Sequence, residues 1–321
     1  MKVNNKIKKS AKTAIEHEFT AIKKLSHSID DRFVKAVELI YHSKGRVIVT
    51  GIGKSAIIAQ KIVATLNSTG TPAVFMHAAD AIHGDLGIVR KEDVVIMLSK
   101  SGETPEIKVL APLLKIRYNK LIAIVGNTSS YLARQADIVL DVTVEKEACP
   151  NNLVPTSSTT AQLVMGDALA ISLLELHGFT AKDFAKVHPG GSLGKRMFLR
   201  VEDLAINNEV PKVDINEDMN NVILEISSKR LGATAVLDDD KLVGIITDGD
   251  LRRMIQDHSD YFKLKAADTM TVNPRTINHD ALLVDALSLM RENNITQLPV
   301  VKDTIYIGVI HLHDILREGI F

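Results

Sequence analysis

The chain has no tryptophan, and phenylalanine and tyrosine together make up only 4% of its 321 residues. Little is left for stacking nucleic-acid bases. Lys+Arg and Asp+Glu both number 39, so no net field draws the protein to nucleic acid or an anionic membrane. One cysteine, Cys149, excludes an internal disulfide and a cysteine-rich metal site, as expected of a reducing, cytoplasmic setting. No uninterrupted apolar run stands out. The most apolar stretch, AQLVMGDALAISLLEL, is broken by Asp167 and Glu175 and reads as too short to span a bilayer. The basic start, MKVNNKIKKSAK, precedes no apolar segment of a secretory signal. Neither a nucleic-acid nor a membrane partner is expected.

At 45% hydrophobic, the chain has the content of packed cores over a length suited to about two domains. After an amphipathic N-terminal segment, RVIVTG, PAVFM, DVVIML, LIAIVG and DIVLDV read as strands. Helical stretches such as KSAIIAQKIVATLNS and TPEIKVLAPLLKIRY lie between them. Near-continuous apolar strands alternating with helices predict an α/β fold with a parallel, five-stranded, doubly wound sheet. Ligands of such sheets sit beyond the carboxyl ends of the strands, which gathers GIGKS, SKSGET and GNTSS at one edge. From about residue 200 the texture changes. LVGIITDGDLRR aligns with YIGVIHLHDILR 64 residues on, pairing Gly244 with Gly308 and Asp250 with Asp314. Helix, strand, strand, helix occurs twice, a paired α+β module rather than an extended solenoid. The expected division is 1–200, 204–262 and 267–321, with a boundary near GKRMFLRVEDLA.

Ser99, Ser101 and Thr104 surround Gly102 where a strand becomes a helix, and one hydroxyl would suffice as a cap. Three of them beside free N–H groups at a helix N-terminus point to a phosphate. GIGKS is a second such turn. It lacks the glycine spacing of a Walker A loop, and Ala56 stands where G-x-G-x-x-G needs its third glycine. Lys54 there can meet an anion. Five consecutive hydroxyl residues, Thr156 to Thr160, open a further helix and suit either a polyol site or a polar loop. Glu147 in EKEACP and His188 in HPGGSLG join Glu106 and Lys54 to supply a base, an acid and a cation. Those are the parts needed to move a proton between carbons beside a carbonyl. His77 and His83 lie six apart, which is not the spacing of a helical zinc pair. His311 and His313 read as alternating along a strand onto a solvated face.

GIGKS, STGTPAVFMHAADAIHGDLG, SKSGETPE, KEACP, PTSSTTAQLVMGDALA and HPGGSLGKR together resemble the D-arabinose 5-phosphate isomerase family. That family joins a sugar isomerase (SIS) domain to a pair of cystathionine-β-synthase (CBS) domains. The resemblance covers nearly the whole chain. It implies an aldose–ketose isomerase, an intramolecular oxidoreductase converting D-ribulose 5-phosphate and D-arabinose 5-phosphate through a cis-enediol. The aldose would supply 3-deoxy-D-manno-octulosonate (Kdo) for lipopolysaccharide. The catalytic positions matched are Lys54, Glu106, Glu147 and His188, and the base, a carboxylate tuned toward neutrality, is Glu106 or Glu147. Phosphate contacts match Ser55, Ser99, Ser101 and Thr104, around Gly102. Other substrate contacts match Gly70, Thr71, His77, His83 and the stretch from Val109. No cofactor is implied, although His77 matches a zinc-binding position not needed for turnover. The resemblance also implies a homotetramer with part of each site on a neighbour. Thr247 and Asp250 fit the T-x-x-D pattern for a nucleotide or sugar-nucleotide regulator, and His311 breaks it in the second repeat. Lys100, where relatives often have Asn, and Ala56-Ile57, in place of Gly-His, depart from the family. A non-catalytic sugar-phosphate or nucleotide sensor is the alternative.

Overall fold

The computed structural model describes residues 3–321 and divides into two compact units after Val187. HPGGSLGKR therefore opens the second unit. In the first unit, α1 (Val3–Leu25) and α2 (Asp31–Tyr41) lead into β1 (Val47–Gly51), α3 (Lys54–Ser68), β2 (Ala73–His77) and α4 (Ala78–Ala81). Then follow β3 (Val94–Ser99), α5 (Pro105–Ile116), β4 (Lys120–Val125), α6 (Tyr131–Gln135), β5 (Ile138–Asp141), α7 (Ser157–Leu176) and α8 (Ala181–Val187). The sheet order is β2-β1-β3-β4-β5, parallel throughout. Alternate side chains feed two apolar layers. Val47, Val49, Ile96 and Leu98 pack with α1, α2, α3 and α7, whereas Ile48, Val95 and Met97 pack with α4, α5 and α6. Burial on both faces is why these strands lack a polar alternation.

α7 begins four residues earlier than the apolar run suggests. At 20 residues it is the one helix among the described residues long and apolar enough to cross a bilayer. Its composition has another cause: Ala161, Met165, Leu169, Ala170 and Leu173 are buried in the layer that covers the sheet.

The second unit holds α9 (Ser192–Phe198), α10 (Val201–Ala205), β6 (Lys212–Asp214), α11 (Met219–Lys229), β7 (Ala233–Asp238), β8 (Lys241–Thr247) and α12 (Asp248–Asp257). It continues with α13 (Ala266–Thr269), β9 (Thr271–Val272), β10 (Ile277–Asn278), α14 (Leu283–Asn293), β11 (Gln297–Lys302), β12 (Ile305–His311) and α15 (Leu312–Arg317). Hairpins β7–β8 and β11–β12 are the two copies of the repeat, and they join through Ile305 and Lys241. Those two residues occupy equivalent places in the repeat, so the copies meet across an approximate twofold. His313 departs from its expected strand. β12 stops at His311, whose Nδ1 accepts the His313 N–H (3.0 Å), and His313 falls in the first turn of α15. A side-chain cap has replaced the strand alternation there.

Candidate functional site

Three helix N-termini converge at the carboxyl edge of the first unit's sheet. α3 brings Lys54 and Ser55, α5 brings Thr104 as its N-cap, and α7 brings Ser158 and Thr159. With Ile52, Ser99, Lys100, Ser101, Pro155 and Gln162 these line a cavity of about 270 Å³. Six hydroxyls, two ammonium groups and the positive ends of three helix dipoles make it an anion site.

The loop from Ser99 to Thr104 is shaped by its own backbone. The Gly102 N–H donates to Ser99 Oγ (3.0 Å), and the Glu103 N–H donates to Ser101 Oγ (3.3 Å). Gly102 sits at φ +65°, and a Cβ there would lie 2.2 Å from Ser130 Oγ. GNTSS thus supports the loop from beneath rather than lining the cavity. Two polar atoms of the lining are buried without a partner: Thr104 Oγ1 and Gln162 Nε2. Gln162 is 1% exposed, and its Oε1 accepts from Ser55 Oγ (3.1 Å). A buried amide N–H of this kind is positioned to donate to an acceptor bound in the cavity. Its only trace in the sequence is one amide on the apolar face of a core helix.

Glu147 is 1% exposed and saturated with donors. Lys100 Nζ (2.6 Å) and Ser158 Oγ (2.5 Å) donate to Oε1. The Thr156 N–H (2.8 Å), Thr156 Oγ1 (3.2 Å) and Ser158 N–H (3.1 Å) donate to Oε2. Burial alone would push this carboxyl up. The Lys100 ammonium, the Ser158 hydroxyl and the two N–H groups together reverse that and hold it at about 2. The expected tuning toward neutrality is therefore absent at Glu147, which instead caps α7. The hydroxyl run from Thr156 to Thr160 has a double use: Thr156 and Ser158 grip the carboxylate, while Ser158 and Thr159 face the cavity.

Ser55, Ser99, Ser101, Thr104 and Lys54 thus come together as the sequence predicts. Glu106 occupies the second position of α5, outside the cavity lining. Val109, on the same helix, is 49% exposed. His77 ends β2 at the same edge, and His83 is exposed in the turn after α4. Gly70 and Thr71 are not brought to the cavity. They join α3 to β2 at the amino ends of the strands, roughly 15 Å away by strand length. Gly70 is required by the fold: its φ is +88°, and a Cβ would meet the Phe179 ring at 2.6 Å. His77 Nδ1 stands 3.6 Å from Asp80 Oδ2, and among the described residues no group of three His, Cys, Asp or Glu can hold a metal.

His188 belongs to the second unit, ahead of α9, and its carbonyl would lie 2.3 Å from a Cβ on Gly194. Thr247 and Asp250 form the capping box of α12: Asp250 Oδ2 accepts from the Thr247 N–H (2.8 Å) and hydroxyl (2.6 Å). Both also line a cavity of about 660 Å³ with Arg252, Arg253, Arg275 and Gln297.

Residues 39–172 match the SIS domain family, and residues 201–257 and 266–320 each match the CBS domain family. An arabinose 5-phosphate isomerase KdsD of Pseudomonas aeruginosa is 48% identical over 314 residues, 97% of this chain and 96% of its own. The protein of the same name from Escherichia coli (strain K12) is 47% identical over 309 residues, 96% of this chain and 94% of its own. Among solved structures, an E. coli CFT073 protein in complex with arabinose 5-phosphate has a TM-score of 0.57 and 41% identity, covering 59% of this chain and 100% of that one.

Proposed function

The chain belongs to the arabinose 5-phosphate isomerase family, and on that premise we propose how its residues divide the work of the reaction. The protein interconverts D-ribulose 5-phosphate and D-arabinose 5-phosphate. The observation that carries the assignment of the site is the cavity where three helix N-termini meet six hydroxyls and two lysines. A phosphate monoester anchored there has its charge matched and its sugar fixed in orientation, which turns proton transfer into an intramolecular step. Isomerisation then removes a proton from the carbon beside the carbonyl, passes through a cis-enediolate, and returns a proton to the neighbouring carbon. A carboxylate held at about 2 is a weak base at neutral pH, so the saturation of Glu147 favours Glu106 for this step. Lys54, at the first position of α3, is assigned to the enediolate charge. His188 is assigned to ring opening or to proton transfer between the oxygens.

The product would supply Kdo for lipopolysaccharide in the cytoplasm, where a lone free Cys149 is at home. A homotetramer is the proposed assembly. Association of chains, though not their number, is supported by α1, whose residues 3–12 are all exposed, with Val3 at 72% and Ile7 at 61%. Unpacked helical turns of this kind have little stability alone in water. The Thr247–Asp250 cavity is the proposed seat of a nucleotide or sugar-nucleotide regulator, tested by the thermal shift ATP produces.

The test of function is proton NMR of D-ribulose 5-phosphate with the purified protein in D2O containing EDTA, on a sample whose mass is read by light scattering. Appearance of D-arabinose 5-phosphate carrying deuterium at C2, from a species of four chains, is the expected result. A binding protein that leaves the ketose unchanged would be a sensor, and an active monomer would remove the tetramer.

A further inference from the structure

Lys100 lines the cavity and adds its charge to it, yet it has been given no step of its own. The residue follows Ser99 at the end of β3, and its carbonyl oxygen accepts the Gly126 N–H (3.1 Å), which fixes the start of the side chain. The chain then runs along the cavity wall, 46% exposed, to the fully buried side chain of Glu147. Glu147 has four other donors, from Thr156 and Ser158, and these are built into the start of α7. The ammonium is the one partner of this carboxylate that stands on a flexible stem and borders the open cavity.

We propose that Lys100 is a shared cation: the ammonium that contacts Glu147 in this structure transfers to the phosphate ester on substrate binding. A lysine suits the task, since its compact charge carries three donors that can be redirected by rotation about the stem. A dianion arriving among the hydroxyls of Ser99, Ser101 and Thr104 offers more charge than a carboxylate that four other donors already satisfy. The transfer takes the countercharge from Glu147 but leaves its carboxylate hydrogen-bonded by Thr156 and Ser158. The inference rests on the cavity being a phosphate-ester site and adds to it a residue and an order of events.

Calorimetric titration of inorganic phosphate tests this without requiring turnover. Lys100→Gln is expected to weaken phosphate binding about tenfold or more, the scale of one charge-assisted hydrogen bond. Lys100→Arg, which keeps the charge, should stay within about threefold of the wild type. Glu147→Gln should bind phosphate at least as tightly as the wild type, because the ammonium then has no carboxylate to leave. In kinetics, Lys100→Gln should raise KM for D-arabinose 5-phosphate by about tenfold while kcat stays within about threefold. Unchanged phosphate affinity in Lys100→Gln overturns the proposal. So does a Glu147→Gln loss as large as that of Lys100→Gln, since the ammonium would then serve only while held. A wild type that binds phosphate through Lys100 but isomerises nothing would refute the isomerase assignment and leave this inference standing.

Discussion

Glu147→Ala is expected to unfold about 3 kcal/mol more easily than the wild type, and to lose most of its phosphate-binding geometry with it. The change strips the acceptor from five donors, among them the N–H groups of Thr156 and Ser158 at the first turn of a 20-residue core helix. Ser158 is 2% exposed, so water cannot readily replace what is lost. Lys100 can turn to solvent, which keeps the loss below that of a wholly buried ion pair. The effect depends on pH. The folded-state carboxyl sits at about 2, below its ordinary 4.5, so its contribution is complete above about pH 4.5 and is lost as the pH falls toward 2. Urea denaturation of both proteins between about pH 7 and pH 2 reads this directly. The gap should be constant down to about pH 5 and close below it. A gap under about 1 kcal/mol at neutral pH, or one that ignores pH, contradicts the role given to Glu147.

Gly102→Val is expected to lower kcat/KM for D-arabinose 5-phosphate by about 100-fold or more. Two costs combine at this position. A β-branched residue at φ +65° is strained by about 1–3 kcal/mol, and its Cβ would fall 2.2 Å from Ser130 Oγ. The loop can relieve the overlap only by lifting off GNTSS. That breaks the Leu132 N–H to Gly102 carbonyl bond (3.1 Å) and the Gly102 N–H to Ser99 Oγ bond (3.0 Å). Ser99, Ser101 and Thr104 then no longer converge. Steady-state kinetics beside a melting curve separate the two costs. Activity should fall far more steeply than the melting temperature, and a variant with wild-type kcat/KM would show that the loop's conformation does not matter.

Much of the fold is legible in the sequence because its signals are local. The run KSAIIAQKIVATLNS is α3 with the same ends, and the five strands lie within about one residue of the apolar runs that predict them. The repeat is visible because both copies keep a glycine within the second strand of the hairpin, Gly244 and Gly308, and the capping aspartates Asp250 and Asp314. The candidate anion cavity is partly legible for a related reason: the GIGKS and SKSGET turns directly follow β1 and β3, and a parallel sheet puts such turns on one edge. What escapes is decided by long-range contact. Nothing in EKEACP announces that Glu147 will be enclosed by the start of a helix nine residues later. Gln162 hides in an apolar helix. Gly70 and Thr71 carry the family's pattern, yet α3 runs back across the sheet and leaves them at the opposite edge. His188 and the first-unit residues fall in separate compact units, which no spacing along the chain reveals.

The position of the phosphorus atom in crystals grown with D-arabinose 5-phosphate tests the central claim most directly. Phosphate oxygens are expected within about 2.7–3.2 Å of donors on Ser55, Ser99, Ser101 and Thr104, in the cavity where α3, α5 and α7 begin. A phosphate seated anywhere else, such as the amino edge beside Gly70 and Thr71, would contradict it.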